Sequence, residues 1–238
     1  MMLPVVILAG GLATRLRPVT EKIPKALVEV AGKPFIAHQL ELLKKNNIER
    51  IVLCVGYRGG MIQDLIGDGR KLGLHIDYSS DWPDLLGTGG AVKKALPLLG
   101  ESFFILYGDS YLACDYDAVR QAFQKSGKPA LMAVFRNENK WDKSNIVYQN
   151  GQILKHDKRN ITPEMKYIDY GLSAVNKNIF ETAGFGDKFD LADLYKNLVD
   201  RGQMAGYEVN QRFYEIGTAR GIGDFQEYLN DNNKKEVL

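Results

Sequence analysis

Three runs constrain this chain more than anything else in it: VVIL at 5–8, RIVLCV at 50–55 and SFFILY at 102–107. Each is nearly unbroken in apolar, β-branched or aromatic residues. A strand with one wet face alternates polar with apolar residues. A strand that is apolar throughout is covered on both faces, as in parallel sheets flanked by helices. The intervening segments agree. PFIAHQLELLKKN puts Ile36, Leu40 and Leu43 on one helical face, with Pro34 suited to the first turn and Asn46-Asn47 to the stop. GMIQDLIG and GGAVKKALPLL read as further amphipathic segments and LHIDYSS as another strand.

The expected fold is therefore α/β: a Rossmann-like, doubly wound, mostly parallel sheet in a three-layer α/β/α arrangement. After about residue 128 the rhythm changes. PALMAVFRN reads as one more strand, and NIVYQNGQILKH carries Asn150-Gly151 between two alternating runs, a hairpin signal. KYIDYGLSAV follows, then a helix over LADLYKNLVDRG, short strands around YEVN and FYEIGT, and a helix from about Arg220 to Leu229. The tail Asp231 to Leu238 is expected to fray. The second half thus reads as a small β-rich insertion lobe beside the sheet. No linker of Pro, Gly and Ser divides the chain. One domain over 1–238 is expected, with one half at about 1–128, another at about 129–218, and a C-terminal helix and tail at 219–238.

With 238 residues, 45% of them hydrophobic, the chain can bury a sizeable core. Thirty-one Lys and Arg against 29 Asp and Glu leave a formal charge of +2, scattered along the sequence, which argues against a nucleic-acid or membrane partner. The apolar start has no basic flank and is only one strand long, so it reads as core and not as a signal peptide, and no other segment could span a bilayer. Cys54 and Cys114 fall in or just after buried strands, which fits reduced thiols and a cytoplasmic location.

The first strand runs into LAGGLATRL. In open parallel sheets ligands bind beyond the carboxyl ends of strands, and the first strand-to-helix loop is the usual phosphate cradle. Gly10 and Gly11 permit close backbone approach to an anion, and Arg15 adds charge. The spacing is neither a Walker loop nor GxGxxG, and a glycine pair can serve the turn alone. Lys25, after Pro24, could be a solvated loop lysine. LGTGGA at 86–91 could be only a glycine-rich helix start, and Asp109, ending SFFILYGD, could cap a helix or hold a hard cation. His38, His75 and His156 read as surface or edge residues.

Gly10, Gly11, Arg15, Pro24, Lys25, Lys33 and Pro34 stand at the spacing GGxGTRLxPxTxxxPKxLxxxxxKP. On this the chain resembles the sugar-1-phosphate nucleotidyltransferases, with the look of bacterial enzymes acting on mannose or manno-heptose 1-phosphate. The resemblance runs from about Leu3 to Gly223. It implies a nucleotide-diphospho-sugar transferase fold, a nucleoside triphosphate and a sugar 1-phosphate as partners, and Mg²⁺ as cofactor. It implies nucleotide binding by Leu8, Ala9, Gly10, Gly11, Ala13, Thr14, Gly87, Thr88 and Gly89, and catalytic roles for Arg15 and Lys25. Asp109 and Glu215 (from FYEIGT) would hold the metal. Lys158 of HDKR, Asp169 and Gly171 of IDYGL, and Tyr107 would bind the sugar phosphate.

The chain also departs from the family pattern. Ala13 replaces a glycine, which is tolerable where φ is negative. Glu215 stands for aspartate, Asp157 for glutamate and Asp169 for asparagine. The base would be read by SSDWPDL, through Asp81, Asp84 or the backbone. No hexapeptide-repeat segment follows, so acetyltransferase activity is not expected, and an exposed helix face near the C-terminus could support a homodimer.

The implied chemistry needs no general base. A phosphate monoester, with a second pKa of about 6, is already largely a dianion at neutral pH. The obstacle is repulsion between anions, which positioning and preorganised charge overcome. The implied activity is nucleotidyl transfer from a triphosphate, preferably GTP, to mannose or manno-heptose 1-phosphate with release of pyrophosphate. Uridylyl transfer to a hexose or N-acetylmuramate 1-phosphate is the alternative. A catalytically weak regulatory subunit that binds nucleotide-sugar is the reading of another class, and Ala13, Asp157 and Glu215 keep it open.

Overall fold

The structure is a computed structural model, and it describes residues 2–182 and 184–236, with side chains as far as 232. In chain order the elements are β1 (Val5–Leu8), α1 (Val19–Lys22), β2 (Glu29–Val30), β3 (Lys33–Pro34), α2 (Phe35–Lys45), β4 (Arg50–Val55), α3 (Gly59–Ile66), β5 (His75–Ser80) and α4 (Gly87–Ala95). Then come β6 (Ser102–Tyr107), β7 (Ser110–Leu112), α5 (Tyr116–Ser126), β8 (Ala130–Arg136), β9 (Ile146–Gln149), β10 (Gln152–His156) and β11 (Tyr167–Asn176). The last are α6 (Asn178–Thr182), α7 (Leu191–Asp200), β12 (Met204–Val209), β13 (Phe213–Glu215) and α8 (Ala219–Glu236).

A nine-stranded sheet in the order β5-β4-β1-β6-β11-β8-β12-β10-β9 forms the middle layer. The expectation of a mostly parallel sheet holds for β5-β4-β1-β6. Beyond β6 the sheet is mixed. The crossover through α5 leaves a slot between β6 and β8, and β11 fills it from the opposite end, antiparallel to both. β12 lies parallel to β8. Nor does the β9–β10 hairpin stand apart as a lobe: β10 pairs with β12, and β9 returns to β11 through Ile146 and Tyr167. The far end of one sheet is therefore curled upon itself.

Side chains alternate across the strands. Val5 and Ile7 join a core with Leu40 and Leu43 of α2, Ile62 of α3 and Phe123 of α5. Val6 faces the other way, toward Val92 of α4, Phe180 of α6 and Leu194 of α7. Each such buried side chain contributes roughly 1.5–3 kcal/mol. The sequence reading does not anticipate α5, although Asp115 accepts a bond from Ala118 N and Tyr116, Val119 and Phe123 form its buried face.

A third cluster, Val28, Val30, Phe35, Ile216 and Phe225, seats α8. That helix continues to Glu236, where fraying from Asp231 was expected, because its buried face anchors the preceding turns; 237–238 lie outside the described residues. Among the described residues no helix is long and apolar enough to cross a membrane. Cys54 and Cys114 are free and buried, and burial pushes both thiols up to about 12. Two of the three histidines are interior, contrary to the sequence reading: His38, whose Nε2–H donates to the Val30 carbonyl at 2.8 Å, and His156. Both helix α2 and strand β10 turn these positions toward apolar neighbours, and burial lowers both pKa values.

Candidate active site

Two clefts open beyond the carboxyl ends of β1 and β6, and Asp109 lines both. The first, of about 290 Å³, gathers residues expected from the sequence: Leu8, Ala9, Gly10, Gly11, Ala13, Lys25, Gly87, Thr88, Tyr107 and Asp109. Thr14 and Gly89 do not line it. Thr14 sits on an exposed turn, and Gly89 is buried in α4 with its amide donating to the Phe189 carbonyl at 2.9 Å. A Cβ at Gly89 would stand 2.3 Å from the Phe189 ring, so that glycine lets the helix approach the segment before α7.

The glycine pair of the first loop does two jobs. A Cβ at Gly10 would lie 3.0 Å from Gly56 N, and one at Gly56 would lie 2.5 Å from the Gly10 carbonyl oxygen. These two residues let the ends of β1 and β4 meet backbone to backbone. At Gly11 no atom stands within 4 Å of a built Cβ, so this is the residue that faces open space. Ala13 has φ 48° and ψ 43°, the left-handed region, so the condition of negative φ fails. An L residue there costs about 1–2 kcal/mol. The turn is held regardless, since the Ala13 carbonyl accepts from Thr20 Oγ1 at 2.8 Å and Leu16 N at 3.1 Å.

At the boundary between the clefts, Lys25 Nζ donates to Asp109 Oδ2 at 2.8 Å, with the two side chains 17% and 29% exposed. Glu215 lies across the β7–β13 ladder, paired in register with Ser110, and Ile216 N donates to the Asp109 carbonyl at 3.0 Å. Glu215 as a residue is exposed, but it lines the second cleft, where neighbouring groups crowd its carboxylate. Desolvation first, then the negative charges of Asp109 and Asp142, push its carboxyl up to about 7 against the opposing pull of Lys25 and Lys158. Among the described residues no cluster of three or more His, Cys, Asp and Glu is placed to hold a metal. Asp109 and Glu215, which line the second cleft together, are nonetheless a donor set suited to a hard divalent cation whose other ligands would be water and phosphate oxygens.

The second cleft, of about 230 Å³, contains Arg15, Lys140, Glu215 and Arg220 among its lining residues. Arg15 thus belongs here and not to the first cleft. The sugar-side candidates also come together: Lys158 Nζ is 3.5 Å from Asp169 Oδ2 and 5.6 Å from the centroid of the Tyr107 ring. Asp169 Oδ1 accepts from Gly171 N at 2.9 Å, and Gly171 has φ 97°, where a side chain would strain the strand. Burial, aided by Asp169, holds the Tyr107 hydroxyl well above its usual pKa.

Asp157 does something else. Its carboxylate accepts from Arg159 N, Asn160 N and Asn160 Nδ2, which lowers its pKa to about 2 and occupies it in a local turn. Of the two acids expected near the base, Asp81 lines the first cleft while Asp84 lies exposed outside it. Sequence reasoning missed Asp190, which also lines the cleft and accepts from Thr88 Oγ1 at 3.3 Å. An Asp just before the apolar helix LADLY was the available signal.

Fold and clefts together define an α/β protein whose candidate site lies beyond the carboxyl ends of its parallel strands. The chain belongs to the nucleotidyl transferase family, whose pattern matches residues 4–145. It is 26% identical over 229 residues to D-glycero-alpha-D-manno-heptose 1-phosphate guanylyltransferase of Campylobacter jejuni, covering 95% of this chain and 99% of the relative. It is 40% identical to N-acetylmuramate alpha-1-phosphate uridylyltransferase of Neisseria meningitidis over 116 residues, 48% of this chain and 50% of that one. The crystal structure of HddC from Yersinia pseudotuberculosis complexed with GMP-PN superposes with a TM-score of 0.79 at 25% identity, covering 96% of this chain and 100% of that one.

Proposed function

We propose that the protein transfers a guanylyl group from GTP to a manno-heptose or mannose 1-phosphate, releasing pyrophosphate. The observation that carries this reading is the Lys25–Asp109 pair at the mouth of a cleft lined by the LAGGLA loop. In this reading the nucleoside and α-phosphate occupy the first cleft, and Gly11 faces the phosphates. Lys25 neutralises charge that builds at the α-phosphorus as the sugar phosphate oxygen attacks. Lys158 grips the sugar phosphate, with Asp169 holding the lysine and Tyr107 beneath it. Asp109 and Glu215 would hold Mg²⁺, which when bound would offset the repulsion between the two anionic substrates. About 1–128 would serve the nucleotide and 129–218 the sugar, although Asp190, from the second half, also lines the first cleft. The activity suits a cytoplasmic protein with access to nucleoside triphosphates.

The base is the less constrained part. Asp81 Oδ2 already accepts from Leu86 N at 3.0 Å, which orients the carboxylate and would leave Oδ1 to accept from an N–H on a guanine edge. The Campylobacter relative supports the guanylyl reading, and the 40% identity to the Neisseria uridylyltransferase supports uridylyl transfer as the second. Pyrophosphate release with Mg²⁺, crossing four triphosphates with hexose, N-acetylhexosamine and heptose 1-phosphates, tests both. Release that requires one triphosphate and one sugar phosphate together identifies the pair. Silence throughout the panel, with triphosphate binding retained, would favour a regulatory subunit.

A further inference from the structure

Asp109 sits in a short break between strands. β6 ends at Tyr107 and β7 begins at Ser110, where the chain leaves the large sheet for the β7–β13 ladder. Such a break leaves backbone carbonyls without ladder partners, and buried ones must be satisfied from elsewhere. Here the donor comes from α2. Gln39, 1% exposed, donates from Nε2 to the Tyr107 carbonyl at 3.1 Å and to the Ser110 carbonyl at 2.8 Å. The two bonds bracket Asp109.

The other end of that amide gains nothing. Oε1 is buried with no partner among the described residues. A bare buried acceptor is costly, and a Met or Leu of similar volume would avoid it. What the amide offers in return is its pair of donated bonds.

The turn is pinned on other sides too. Gly108 N donates to the Leu8 carbonyl at 3.0 Å, and Ile216 N donates to the Asp109 carbonyl. Ser110 Oγ stands 3.5 Å from Asp109 Oδ1, so holding the Ser110 backbone also holds a hydroxyl beside the carboxylate. Helix α2 meanwhile supports the opposite partner. His38, next to Gln39, donates to the Val30 carbonyl, and Phe35 N donates to the Val28 carbonyl at 2.9 Å. Val28 N in turn donates to the Lys25 carbonyl at 3.0 Å. One helix thus grips the chain beside Lys25 and the chain beside Asp109.

We infer that Gln39 is a positioning residue for nucleotidyl transfer, aiming the Asp109 carboxylate at Lys25 by fixing the carbonyls on either side of it. The inference rests on the proposed function, in which Asp109 would be a metal ligand. Gln39 lines neither cleft, so its effect passes through Asp109.

Three variants of the full chain test this. Gln39→Met keeps the volume and removes both donors. Gln39→Asn keeps the amide but withdraws it by one methylene, and serves if the first variant folds poorly. Gln63→Met, at an exposed position of α3, is the control and should behave as wild type. In the first two, kcat should fall on the order of tenfold or more, with the KM of both substrates unchanged. In an Asp109→Asn background Gln39→Met should cost nothing further, since the residue it acts through is already gone. Binding of Mn²⁺ alone, followed by electron paramagnetic resonance, should weaken severalfold. A crystal structure of Gln39→Met should show Lys25 and Asp109 parted from their 2.8 Å contact. Loss of Tm alone, with kcat, Mn²⁺ affinity and that contact intact, would make Gln39 a packing residue and overturn the inference. A wild-type protein that transfers no nucleotide sinks the proposed function, and one that binds no Mn²⁺ sinks the metal-ligand role. In either case the crystal structure still decides whether Gln39 sets the pair.

Discussion

Lys25 and Asp109 hold each other at 2.8 Å, and in the proposed reaction each would exchange that partner, Lys25 for a phosphate and Asp109 for a divalent cation. Lys25→Met should leave the protein folded, by circular dichroism and Tm, while lowering kcat by on the order of 100-fold or more, about 3 kcal/mol. Full turnover by that variant would remove Lys25 from the chemistry. Glu215 supplies a pH signature. Its carboxyl is raised to about 7, so its protonated form is stabilising: the contribution is complete below the ordinary glutamate range and is lost as pH climbs through 7. The metal-free protein should therefore lose Tm relative to Glu215→Gln between about pH 4.5 and 7. Magnesium affinity should run the other way, strengthening as pH rises through 7, because binding requires the ionised carboxylate. A flat affinity profile from pH 6 to 8 would contradict the raised value.

Elements explain why some of the site was readable and some was not. LAGGLATRL, LGTGGA and YGDS each end a strand or open a helix of the parallel half, so local sequence fixes where they point. Gly10 and Gly11 look equivalent in sequence, but the partner that distinguishes them, Gly56, lies at the end of β4 and only pairing brings it near. Asp157 was placed by position in a motif, and its local turn bonds took it elsewhere. Asp190 meets Thr88 across 102 residues, and the slot filled by β11 depends on the whole sheet order, so neither has a local signal.

Two substitutions test the loop. Gly56→Ala should destabilise the protein by about 1–3 kcal/mol in a denaturant titration, since its Cβ would meet the Gly10 carbonyl at 2.5 Å. Ala13→Gly should instead raise stability by roughly 0.5 kcal/mol, the relief of left-handed strain less the added freedom of the unfolded chain. A loss of stability in Ala13→Gly would show that the methyl packs usefully.

At the scale of the whole molecule, α8 couples distant parts of the site. Phe225 is fully buried against Phe35, Tyr111 and Tyr214, and the helix that bears it packs on β13, which carries Glu215. Phe225→Ala should cost about 3–5 kcal/mol and weaken magnesium affinity along with it, although residue 225 lies outside both clefts. Stability lost with magnesium affinity intact would show that β13 keeps its place without the helix. The ladder that pairs Ser110 with Glu215 has one further consequence, in the order of synthesis. A growing chain has the LAGGLA loop, Lys25 and Asp109 long before β13 leaves the ribosome. On the proposed reading the second carboxylate would therefore join the site only with that strand, so that turnover would wait for it.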